Sequence, residues 1–140
     1  METLSAISHR DGALAYFLLR ATLGVNLCMH GISRLLAGPA SFAHSLVALF
    51  ERTPLPGWLV LAFGFTLPWI EAVLGLLLLS GLRTRLALIA GSVLLVVLTF
   101  GSALRQDWQT VGLQLIYSSV NSALLAFRSR NIYALDRFLA

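Results

Sequence analysis

Charge is scarce in this sequence. Only 11% of its 140 residues are Asp, Glu, Lys or Arg, where a soluble domain carries about a quarter. Lysine is absent altogether, so all ten basic residues are arginines. Cys28 is the single cysteine, which excludes an internal disulfide and any CxxC redox or metal pair. What takes the place of charge is apolar: 58% of the residues are hydrophobic and the mean hydropathy is +0.84. These figures imply an integral membrane protein whose first partner is the lipid bilayer. They leave no room for a soluble catalytic domain. The net charge of +4 is carried by loops and helix ends, which argues against binding nucleic acid.

The apolar runs predict an all-α fold, a four-helix bundle in the membrane forming one domain over residues 1–140. Spans are expected at about 13–32, 58–80, 86–104 and 111–127, each near the length that crosses the hydrocarbon core. Residues 1–12 read as a short polar start. Between the first two spans, Ser41 is placed to cap a short helix with Phe42, Leu46, Leu49 and Phe50 on one face. That helix is too short to cross, so it is expected to lie in the interface. The tail after Arg128 reads as basic and amphipathic, with Ile132, Leu135 and Phe138 at helical spacing.

Arginine counts give an orientation. Arg10, Arg83, Arg85, Arg128, Arg130 and Arg137 fall on the side of the termini, against Arg34, Arg52 and Arg105 on the other. The bias places both termini in the cytoplasm, in a bacterial inner membrane.

Within the second span, Gly64, Pro68, Glu71 and Gly75 follow i, i+4, i+7, i+11 and share a face. Glu71 is the only charged side chain in that segment, and an unpaired carboxylate facing lipid is costly. Counting at about 1.5 Å per residue puts Arg20, Glu71 and Asn121 at similar depths from the cytoplasmic side. The expectation is an Arg20–Glu71 ion pair completed by Asn121. A buried pair of this kind either fixes helix packing or serves chemistry. A second polar layer lies toward the outer face. Asn26, His30 and Arg34 form an i, i+4, i+8 stripe on the first helix, and Gln114 reaches a similar depth on the fourth, where Gln114, Tyr117 and Asn121 share a face. Asn26, His30, Arg34, Trp69 and Gln114 are the candidate ligand-binding residues. Trp69 either lines a pocket or simply fills space. No residue is singled out as catalytic, no metal site is indicated, and His9 and His44 are poorly placed to join His30 as haem ligands.

Leu19-Arg20 followed by Gly24, His30-Gly31 and Arg34, together with Pro68, Glu71, Gly75, Gly81-Leu82 and Arg85, resembles the DoxX/DoxD family of small four-helix membrane proteins. The resemblance spans most of residues 14–90, with Arg34 where the family usually has lysine. It implies a membrane subunit of an oxidoreductase complex that interacts with quinone. No cofactor is expected to be covalently bound, so a partner protein would supply the redox groups. The alternative is a non-enzymatic scaffold or assembly factor docking partners through its surface helix and tail. A small transporter working as a homo-oligomer is the weakest reading.

Overall fold

The computed structural model describes the backbone of residues 2–138 and the side chains of residues 9–138. Five α-helices follow one another: α1 (Glu2–Ala37), α2 (Pro39–Phe50), α3 (Gly57–Ser80), α4 (Thr84–Leu104) and α5 (Trp108–Ala126). Two 3-10 turns, Arg128–Arg130 and Leu135–Arg137, complete the described chain. Helices α1, α3 and α4 are each long and apolar enough to cross a bilayer. The bundle is therefore an all-helical membrane fold in which the shorter α2 sits between the first two crossings. Large apolar side chains such as Leu18, Val25, Val73, Leu76, Val96 and Ile116 cover its outside. That surface suits lipid, which is as apolar as the side chains themselves.

Because lipid gives apolar helix faces little reason to associate, close backbone approach has to hold such bundles together. Here it is supplied by glycines along the α1–α3 seam. A Cβ at Gly24 would meet the backbone of Leu79, one at Gly31 the backbone of Pro68 and Ala72, and one at Gly75 the backbone of Cys28. Positions rising along α1 meet positions falling along α3, so the pair is antiparallel with a fixed register. Helix α2 packs across the N-terminal part of α3, with buried Ala43 seated against Gly64. Helix α5 lies along α4, tied by Asn121 Nδ2, which donates to Leu88 O at 2.7 Å and to Ser92 Oγ at 2.7 Å.

The ends are closed by side chains. Gly81, at φ 67°, ends α3 in the left-handed conformation. Leu82 N–H reaches back to Leu77 O at 3.1 Å and Gly81 N–H to Leu78 O at 3.3 Å, which is the Schellman arrangement. Helix α4 has no side-chain cap from its own flank. Asp136, far along the chain, accepts there from the N–H groups of Arg83 and Thr84. A carboxylate is well placed at a helix N-terminus, where unpaired N–H groups and the helix dipole both favour negative charge. Asp107 caps α5, accepting from Thr110 N at 3.2 Å and Thr110 Oγ1 at 2.7 Å.

Three expectations are corrected. The polar start is not separate from the first span, because α1 is continuous from Glu2; no proline interrupts residues 2–37, and Gly12 is accommodated within the helix. Pro39, not Ser41, opens α2, since its fixed φ suits the first helical position. The tail forms two 3-10 turns instead of an amphipathic helix, because Asp136 and the Tyr133 carbonyl are drawn back onto the ends of α3 and α4.

Candidate functional site

The chemistry of the molecule gathers in a cavity of about 270 Å³ between α1, α3, α4 and α5. Helix α1 contributes Asn26, His30 and Arg34, α3 contributes Glu71, and α5 contributes Thr110, Gln114, Tyr117 and Asn121. Helix α4 gives the apolar wall, including Leu94, Leu95 and Leu98, with Gly91 near the Asn121 amide. The i, i+4, i+8 stripe of α1 and the i, i+3, i+7 stripe of α5 thus meet across one space, as amphipathic helices place same-face residues together.

Glu71 is 4% exposed. Its Oε2 accepts from Arg34 Nη1, so the buried charge is paired. Arg34 is also held over the Phe42 ring of α2, 4.6 Å from the centroid. Among the described residues, the side chains of Asn26, His30 and Tyr117 engage in no hydrogen bond within the chain, which leaves their polar atoms free for an occupant. His30 is exposed, as is Leu113 of α5, so both stand at the open rim of the cavity. Gln114 Nε2 donates to Ser102 Oγ at 3.1 Å, which fixes its amide against the C-terminal end of α4.

The Arg20–Glu71 pair expected from depth is not formed. Arg20 is 1% exposed, and its guanidinium donates to the carbonyls of Leu78, Leu79 and Tyr133, the last at 2.6 Å. Its role is to close the C-terminus of α3, where helical carbonyls lack partners. The reason is register. The glycine seam sets Gly31 against Ala72 and Cys28 against Gly75, which brings Arg34 level with Glu71 and carries Arg20 about four turns of helix away. Counting depth from Ala13 failed because α1 extends past both assumed ends of the span. Asn121 does line the cavity, but its amide binds α4 and not the ion pair. Trp69 is 55% exposed on the outside of α3 and does not line the cavity. Thr110 was missed; its place in the Asp107 cap turns it inward, and a capping residue followed three positions later by threonine was the available signal.

A second cavity, of about 420 Å³, adjoins the first beneath α2. It is lined by Phe42, Leu46, Leu49 and Phe50, the apolar face expected for α2, together with Leu55, Leu59, Phe63, Val97 and Phe100. Arg34, Leu98, Thr110 and Gln114 border both spaces. Arg105 stands at the edge of the second, paired with Asp107 at 2.9 Å and set over the Phe50 ring.

The family model described as methylamine utilisation protein MauE matches residues 12–120, most of the chain, which therefore belongs to the MauE family. This overturns the resemblance to DoxX/DoxD. The motifs that suggested it are short and built from residues that any close-packed polar membrane helix pair uses: Gly24, Gly31 and Gly75 hold the α1–α3 seam, while Arg34 and Glu71 pair across it. No curated protein and no solved structure matches the chain.

Proposed function

We propose that this chain is a membrane accessory subunit of an oxidising system, and that its inner cavity receives the polar headgroup of a lipid-borne quinone. The family name links its relatives to methylamine utilisation, and we extend that setting to this chain, with electrons supplied by a protein partner. The observation that carries the reading is the cavity itself: hydrogen-bonding side chains of Asn26, His30 and Tyr117 without partners among the described residues, lining a space that opens at His30 toward the lipid-facing surface. A quinone carbonyl needs such donors, and its apolar body suits the leucine wall of α4. The Arg34–Glu71 pair keeps the site neutral overall, which suits an uncharged headgroup.

The test is photolabelling of the protein in lipid nanodiscs by an azido-benzoquinone. Labelled peptides are expected from α1 and α5, and the combined His30→Ala and Asn26→Ala variant is expected to lower labelling about tenfold, as loss of two hydrogen bonds implies. Labelling spread evenly over all lipid-facing helices, or unchanged in the variant, would refute the proposal.

A further inference from the structure

We infer that the outer cavity beneath α2 holds the apolar chain of the same amphipathic ligand, so that the protein takes up the chain along with the headgroup instead of leaving it in lipid. The inference rests on the headgroup reading above and adds the ligand class: a molecule with a compact polar head and a single long hydrocarbon tail.

The first support is continuity. Arg34, Leu98, Thr110 and Gln114 form the border of both cavities, so an occupant of the inner space meets the outer one directly behind this band. The second is chemistry. Beyond the band the lining turns apolar, with aromatic side chains from α2, α3 and α4 in Phe42, Phe63 and Phe100. The two charges on its border are both paired, Arg34 with Glu71 and Arg105 with Asp107. Beyond that band the space has little to offer a polar group, and a hydrocarbon segment gains there by van der Waals packing against the aromatic and leucine side chains. The third is access. Leu49, Leu59 and Phe100 are 60%, 42% and 58% exposed while lining the cavity, so the wall between α2 and α4 communicates with the membrane. The volumes, about 270 and 420 Å³, suit a head on the inner side and a longer apolar segment on the outer.

The polarity gradient across the border also fixes the direction of the ligand. Its head points toward Glu71 and its tail passes Arg34 toward the outer face. Arg34, held between Glu71 and the Phe42 ring, is then the residue past which the junction of head and tail runs.

The experiment compares two competitors of azido-benzoquinone labelling in nanodiscs: a benzoquinone bearing a long alkyl chain, and the same ring bearing only methyl groups. Both are tested on the parent protein and on Val97→Trp and Leu59→Trp, which place bulk in the outer cavity at half-exposed positions that can take a larger side chain. On the parent, at equal concentration in the bilayer, the long-chain compound is expected to compete about tenfold more strongly than the methyl compound, through packing of its chain in the cavity. In the tryptophan variants that advantage is expected to vanish while the methyl compound competes as before. An advantage that persists in both variants places the chain in lipid and overturns the inference, with headgroup binding intact. Failure of both compounds to compete on the parent overturns the headgroup reading and this inference with it.

Discussion

Arg34 donates from Nη1 to Glu71 Oε2 while its guanidinium lies over the Phe42 ring, so one side chain of α1 joins α3 and α2 at the border of two cavities. The pair sits where α1 and α3 are held at backbone contact by glycines, which explains why a carboxylate is tolerated in an apolar helix. Glu71→Leu alone leaves Arg34 without its partner, and Arg34→Leu leaves a buried carboxylate. The second is expected to cost more, because Glu71 is the better buried of the two, at 5% side-chain exposure against 27%. The loss should approach the lower end of the about 3–5 kcal/mol typical of a broken buried pair. Thermal unfolding in detergent checks this, and the double variant should recover part of the loss. Arg20→Leu should show no coupling to Glu71→Leu in the same cycle.

Arg20 has its own consequence. It is a buried cation whose recorded partners are main-chain carbonyls, at the end of α3 and at Tyr133. Arg20→Met retains the apolar stem and removes the charge-assisted bonds, each of which contributes about 1.5–3 kcal/mol. The expected result is faster amide hydrogen exchange at the end of α3 and in residues 131–138, with exchange across α5 little changed. Protection that stays the same in both segments would show that the tail is held without Arg20.

Acid should loosen the same region. Burial alone would raise the Asp136 carboxyl, but hydrogen bonds from the Thr84 side chain, from the Thr84 and Arg83 N–H groups, and the charge of Arg20 outweigh it and hold the group below its ordinary range. A depressed carboxylate stabilises the fold above its unfolded pKa of about 3.9, and that contribution is lost as pH falls through the lower folded value. Asp107 is likewise held low, chiefly by the Thr110 side chain and N–H, and titrates in the same direction. The melting temperature should therefore fall below about pH 4, and Asp136→Asn should flatten part of that fall. At neutral pH Asp136→Ala should cost about 1 kcal/mol, as loss of a helix cap does, and Asp136→Asn, which keeps one acceptor oxygen, should cost less. An acid profile identical in Asp136→Asn and the parent would be incompatible with the clamp.

The glycine seam gives the most severe prediction. A side chain at Gly31 or Gly75 would meet backbone atoms of the facing helix, which cannot rotate away. Gly75→Val and Gly31→Val should each force α1 from α3 and cost about 3 kcal/mol or more, the upper range for overpacking. Gly112→Ala is the control, since nothing lies within 4 Å of a Cβ there, and it should be neutral or slightly stabilising through helix propensity. The readout is again thermal unfolding in detergent.

For orientation, the six-to-three arginine bias predicts cytoplasmic termini. The fold gathers the tail and the Gly81–Arg85 turn at one end of the bundle through Asp136 and Gly81, whose carbonyl accepts from Asp136 N–H at 3.0 Å. The basic residues on which the bias depends are thereby kept on one side. A reporter fused to the C-terminus and active only after export should be silent, and strong activity there would reverse the assignment.

The sequence by itself determined that the chain is helical and membrane-embedded, because length and hydropathy of a segment are properties of that segment alone. It also determined which residues share a face, since Asn26, His30 and Arg34, and separately Gln114, Tyr117 and Asn121, follow the helical period that the helices then adopt. The apolar face of α2 was legible for the same reason, though its place over a cavity was not. Only the tertiary structure decided which face meets which, and at what height. The partner of Glu71 depends on a sliding register between two antiparallel helices, and several registers satisfy the same hydrophobic pattern. Backbone contact at Gly24, Gly31 and Gly75 selects one of them, exchanging Arg20 for Arg34 at the acid and sending Arg20 to the end of α3. Trp69 shows the same limit from the other side: two residues from Glu71 in sequence, it lies around the helix and faces outward. The return of Asp136 to cap α4 is the least legible of all, for a carboxylate at the end of a basic tail carries no local sign of the N–H groups it will find more than fifty residues earlier in the chain.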